Sequence, residues 1–204
     1  MHRALSHLVP LLAVVGLAAA CHGPVVPNPL VGQTRYLCCN LHYEKPEVSD
    51  VNYQVGVMVP FGTRVQILEV RRSSVKFQAE GHPPITAVLK YGDHVITMDQ
   101  FMSRLFVADD PHGKLPRGAG KPAGKPTGKK GAPPAPAAST HVRELIESGT
   151  VEEGMTRDQV LLALGYPPAH RTPNLDAAAW TYWHNHWATF VVYFDGNRVS
   201  RVER

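Results

Sequence analysis

The stretch that decides the fold is Gly154-Met155-Thr156-Arg157-Asp158-Gln159-Val160-Leu161-Leu162-Ala163-Leu164-Gly165. Thr156 precedes an apolar run and Gln159 follows three residues later, which is the spacing of a capping box at a helix start. Val160, Leu161 and Leu164 form its expected buried face. Gly165, followed by Tyr166-Pro167-Pro168, ends the helix, because proline cannot continue one and glycine tolerates the turn.

Outward from this helix, the flanking segments also have readable periods. His141 to Ser148 places Val142, Leu145 and Ile146 on one helical face, and Gly149 stops it. Downstream, Ala179-Trp180-Thr181-Tyr182-Trp183 alternates as a strand. Thr189 to Phe194 and Arg198 to Val202 flank Asp195-Gly196-Asn197, a strong hairpin signal.

Gly154-Met155-Thr156, Gln159-Val160, Leu164-Gly165 with Pro167, Trp180 with Tyr182, and Val192 with Phe194-Asp195-Gly196 and Val199 fall in one order. In that order they resemble the SmpA/OmlA (BamE-like) lipoprotein family. The resemblance covers residues 140–204. It implies two helices packed on a three-stranded antiparallel sheet, a lipid anchor, no cofactor and no catalysis.

Residues 32–111 read differently. Val65, Ile67 and Val70 follow a Pro60-Phe61-Gly62-Thr63 turn, and Val75, Phe77 and Ala79 alternate with polar partners before Gly81-His82-Pro83-Pro84. Thr86 to Tyr91 gives a further strand. Thr97 and Gln100 make a second capping box, opening a short helix through Phe101, Leu105 and Phe106. Short strands at this density predict a small β-barrel or sandwich, and their rhythm, weakly similar to bacterial SH3-like domains, points to the barrel. The whole chain is therefore expected to be α+β. Ahead of these strands, Tyr36, Asn40, His42, Tyr43, Asp50, Asn52 and Tyr53 form a polar-aromatic stretch. It suits carbohydrate or peptide recognition, and equally a loop whose tyrosines cover a core edge.

The chain carries a formal net charge of +4, but the excess is local. Lys114, Arg117, Lys121, Lys125, Lys129 and Lys130 lie in a Pro/Gly/Ala-rich run, 112–139, without an acidic residue. Such a run buries too little apolar surface to offset its ordering entropy, so it is expected to be an extended linker. Its lysines suit peptidoglycan or anionic lipid. A nucleic-acid-binding surface is not indicated, since the rest of the chain is near neutral.

Residues 1–21 begin with His2 and Arg3 and continue as an apolar run from Leu8 to Ala20, ending at Cys21. The run is too short to span a bilayer and reads as a signal peptide. Ala18-Ala19-Ala20-Cys21 resembles a lipobox, in which the cysteine becomes acylated, with residues 22–31 as a tether. His22 in place of an aspartate points to the outer membrane, periplasmic side. Cleavage after Ala20 without acylation would instead give a soluble periplasmic or secreted protein. Cys38 and Cys39 are adjacent. Neighbouring cysteines close a strained ring, so one is expected buried and the other exposed or paired between chains.

Trp183-His184-Asn185-His186-Trp187 is the only cluster suggesting chemistry. On a strand, His184 and His186 face one side and can chelate a metal, with His170 or Asp195 as a third ligand. As a hairpin bend, it is a binding tip. No nucleophile elbow, zinc-protease motif or phosphate loop occurs. The expectation is a non-enzymatic envelope lipoprotein anchored through Cys21. It would bind envelope proteins through Trp180, Tyr182, Trp183, Trp187 and Tyr193, in outer-membrane protein assembly or envelope integrity. The alternatives are a peptidoglycan-binding periplasmic protein and a metal-handling protein using His184 and His186.

Overall fold

The structure, a computed structural model, describes residues 24–115 and 136–204. The signal-peptide-like segment, Cys21 and most of the basic linker lie outside them. The fold is α+β, built around two apolar cores.

In the first half, β5 (Arg64–Val70) and β6 (Ser74–Ala79) pair antiparallel as their alternation predicts, burying Val65, Ile67, Val75, Phe77 and Ala79. Around them the order is β3 (Glu47–Ser49), β7 (Pro84–Val88), β6, β5, β1 (Thr34–Leu37) and β8 (Phe106–Val107). This sheet does not close, so the expected barrel is not formed. The reason lies in the polar-aromatic stretch, which supplies strands rather than a loop. Its β3 joins β7 in parallel, while β2 (Leu41–Tyr43) pairs with β4 (Val57–Val59) as a separate ribbon.

Strand β7 also ends earlier than its sequence suggested. The Asp50 carboxylate gathers the N–H groups of Lys90 and Tyr91, both at 3.1 Å, and of Gly92 at 2.7 Å, curling the chain away. Helix α1 (Met98–Leu105) starts at its capping box and buries Phe101 and Met102, but Phe106 leaves it for β8.

In the second half, α2 (Pro136–Glu147) and α3 (Arg157–Leu164) pack on an antiparallel sheet of order β11-β10-β9. Its strands are β9 (Ala179–Trp183), β10 (Thr189–Asp195) and β11 (Arg198–Glu203). The Thr156–Gln159 capping box is present. Gly165 ends α3 at φ +81°, and a Cβ there would come within 2.9 Å of the Asn52 amide, so glycine is required twice over. The buried set of α3 differs from the expected stripe. Leu162 and Ala163 are buried and Leu161 only partly, because the helix is covered on a second side by the first half of the chain.

That second contact joins the halves. Asn40, 1% exposed, donates from its backbone to the Leu162 carbonyl at 3.0 Å. Its side-chain amide donates to the carbonyls of Ile146 (2.7 Å) and Ala163 (3.0 Å), and its Oδ1 accepts from Phe61 N–H (2.9 Å). Phe61 and Leu115 belong to the second core, and Ala169 to the first.

Both proposed connectors are shorter than composition implied. Residues 111–115 form a 3-10 turn (Pro111–Lys114) and a core contact, and α2 already begins at Pro136. The tether is docked from Pro24 onward: Val26 N–H bonds Val70 O (2.9 Å) and Gly32 N–H bonds Ile67 O (2.8 Å). Apolar side chains such as Leu30 pack against the first core and hold this segment there.

Candidate binding cleft

The polar-aromatic stretch, the chain around Tyr91 and the β9–β10 hairpin meet at one cleft of about 740 Å³. Ribbon strand β2 contributes His42 and Tyr43, the following loops Tyr53 and Tyr91, and the β9–β10 hairpin His186. Asn52 sets the ribbon's geometry at φ +50°, a left-handed conformation that asparagine tolerates. Its Oδ1 accepts from His42 N–H at 2.9 Å, and its Nδ2 donates to Leu164 O at 2.9 Å. Gln54 Nε2 donates to the same Leu164 carbonyl at 3.1 Å. Side chains from one half thus satisfy the carbonyl end of a helix in the other.

The wall is aromatic. Tyr53 and His186 lie 4.1 Å apart between ring centres, and His186 Nε2 is 2.9 Å from Glu44. Tyr91 continues the row to His170 (5.7 Å), which reaches Trp183 (5.5 Å). Burial, together with the Tyr91 hydrogen bond, pushes the Tyr53 hydroxyl up to about 12, so it is a neutral donor and acceptor at ordinary pH. Lys45, Glu47 and Lys90 add charge around this wall.

His42 separates this cleft from a second one of about 410 Å³, reached from the side of Thr150, His184 and Arg204. Burial holds its imidazole below the usual histidine range, so the ring is neutral near pH 7. Its Nδ1 is buried without a hydrogen-bond partner among the described residues.

Comparison of the chain with protein families, with curated proteins and with solved structures found no match. The site is accordingly read from its own geometry.

The five residues expected to form a partner surface are not on one surface. Trp180 and Tyr182, each 1% exposed, point into the second core because strand alternation sends them to the helix-covered face. Trp183 and Tyr193 are half-buried on the other face, the former beside His170 and the latter under Arg201 at 4.2 Å. Trp187 stands alone, 95% exposed at the hairpin tip. His184 and His186 are divided between the two clefts, because the chain bends after Trp183 instead of continuing as a strand. Among the described residues, no three His, Cys, Asp or Glu side chains gather as a metal site.

The cysteine expectation also changes. Cys38 and Cys39 are both buried and joined by a disulfide, against the Arg104 carbonyl. The turn between β1 and β2 brings both sulfurs inward under the end of α1.

Tyr91 and the Glu44–His186 pair were missed as site residues. No local signal links positions 142 apart, although the aromatic-amide stretch at 36–53 did mark the cleft's floor.

Proposed function

We propose that this chain is a lipid-anchored envelope protein that acts by binding, with the tyrosine-walled cleft as its ligand seat. The observation that carries the binding role is the convergence of Tyr43, Tyr53, Tyr91 and His186 from distant segments on a cavity of about 740 Å³. That volume falls within the range of small-ligand sites, roughly 300–1,000 Å³. Flat, half-exposed rings suit the C–H faces of sugars, and the Ser49 hydroxyl, Glu47 carboxylate and Lys45 ammonium offer hydrogen-bonding groups for hydroxyl and acetamido groups. Cell-wall glycan is therefore the favoured ligand class, and the peptidoglycan reading gains on binding of an envelope protein alone.

The anchor rests on Cys21 after the apolar run from Leu8 to Ala20, and the outer-membrane placement on His22. No helix among the described residues is long and apolar enough to cross a membrane. The SmpA/OmlA reading is supported by two helices on a three-stranded meander in the second half.

Two measurements test the reading separately. Mass spectrometry of the mature amino terminus from membranes is expected to find an acylated fragment starting at Cys21; an unmodified end in the soluble fraction removes the anchor. Titration of the mature chain with a soluble muropeptide, followed by aromatic NMR signals, is expected to shift Tyr53 and Tyr91. Tyr53→Ala should lose the response. Unmoved tyrosines at saturating glycan would remove the ligand class.

A further inference from the structure

The docked tether constrains how the protein sits on its membrane. Residues 24–33 run along the C-terminal part of β5. Arg72 N–H bonds Pro24 O, Val25 bridges Arg71, and Ile67 N–H bonds Gln33 O. Pro24, bonded to Arg72 at this edge, lies three residues after Cys21. An extended chain covers at most about 3.6 Å per residue, so the anchor lies within ~11 Å of Pro24. A free ten-residue tether would have reached about 35 Å and left orientation open.

The surface held within that reach is unusual for this molecule. Val25 (57% exposed), Val26, Val31 and Leu68 are four of the eight large apolar side chains exposed among the described residues. All four border the same stretch of β5. Leu68 follows Arg64 and Gln66 on the outward face of β5 and is the extra residue of the bulge between Ile67 and Glu69. Arg71 and Arg72 adjoin the valines; Arg71 Nε is paired with Glu69, the only carboxylate of the strip, and Lys76 stands opposite Glu69 in register, so Arg72 and Lys76 supply its net positive charge. Exposed valines and a leucine beside guanidinium groups match a bilayer surface, with the apolar atoms at the headgroup boundary and the cations against phosphate. Sheet order adds a consequence. The strip lies at β5, and β3, beside the cleft, is three strands away at the sheet's edge. At about 4.8 Å per strand this leaves ~14 Å between them, so contact along the strip leaves the cleft open.

We propose that Val25, Val26, Val31, Leu68 and Arg72 form a membrane-apposed face that rests on anionic lipid headgroups. This proposal rests on the acylation of Cys21 proposed above. Such a face would fix the protein's orientation where the acyl chains alone would only tether it.

The test uses the acylated full chain in phosphatidylcholine nanodiscs containing phosphatidylglycerol and a gadolinium-headgroup lipid. Methyl signals of Val25, Val26, Val31 and Leu68 are expected to lose intensity, while the Trp187 indole and Tyr53 ring keep theirs. Arg72→Glu, and omission of phosphatidylglycerol, should each restore much of the lost methyl intensity. An acylated chain whose strongest loss falls on Trp187, or is spread evenly, overturns this face and leaves the anchor standing. A mature chain without acyl groups overturns both proposals.

Discussion

Asn40 is the residue on which both halves depend. Its side chain satisfies two helix carbonyls of the second half and the N–H of Phe61 in the first. Asn40→Ala would leave the Ala163 carbonyl and the Phe61 N–H buried without partners, at about 1–3 kcal/mol each, while Ile146 O keeps its bond from Gly149 N–H, so a loss of roughly 2 kcal/mol or more is expected. Asn40→Asp keeps the volume but turns the donor into a charged acceptor facing two carbonyls, and should be worse near neutral pH. Urea midpoints measure both; an Asn40→Ala protein close to its parent would mean that water replaces the amide. His42 gives a pH signature. Its folded-state pKa is lowered by burial, so the unfolded chain takes up a proton that the folded one resists. More protons bound in the unfolded state means that stability rises with pH. The contribution is intact above the unfolded value of 6.5 and is lost progressively as pH falls below it. His170 shifts the same way, through burial first, with Arg171 and His94 adding to it and Asp50 opposing. Thermal midpoints between pH 7 and pH 5 should therefore fall, and His42→Gln should flatten part of that slope. An unchanged slope would assign it to other groups.

At the scale of elements, local chemistry sets the starts and the distant chain sets the faces. Thr156 caps α3 with its side chain, and its backbone also bridges to Arg198 of β11. Thr156→Ala should cost about 1 kcal/mol, within the 0.5–2 kcal/mol usual for such caps, and Thr97→Ala a similar amount at α1. Matched urea curves for the two variants check this; a cost near zero at Thr156 would mean that solvent caps α3 as well as the hydroxyl does. Both caps were legible in the sequence because donor and acceptor lie three residues apart, as was the Asp195-Gly196-Asn197 hairpin. The β5–β6 hairpin was legible for a related reason, since its alternation has a period of two and its partners are sequence neighbours. Other features had no such signal. The parallel pairing of β3 with β7 needs Glu47 beside Thr86, and burial of Leu162 and Ala163 needs Asn40. Trp180 and Tyr182 show the same limit from the site's side. Aromatic type alone suggested a binding surface, whereas strand parity put them in the core and left Trp183 outside.

For the molecule as a whole, the question is whether the halves behave as beads on a basic string or as one body. Composition of 112–139 favours the string. The contacts favour the body: Phe61 of the first half is buried in the second core, Ala169 of the second in the first, and the α3 carbonyl end is capped from across the boundary. Within residues 116–135, Lys121 and Lys125 precede proline and resist trypsin, which leaves Arg117, Lys129 and Lys130 as its sites there. Nicking converts an intramolecular contact into a bimolecular one and forfeits an effective concentration of the order of millimolar. Pieces that still elute together at micromolar concentration would show that the interface, not the linker, holds the halves. That is the expected result, with separation only in urea. The uncut chain should then unfold in a single transition, reported alike by tyrosines of the first half and by the tryptophans, all of which lie in the second. Asn40→Ala should make the nicked pieces part at a lower urea concentration than in the parent, because it weakens the shared boundary. Two folded pieces that separate as soon as the linker is cut would return the basic segment to the role of a spacer. They would also leave the cleft without a fixed wall, since His186 faces Tyr53 only while the halves are joined.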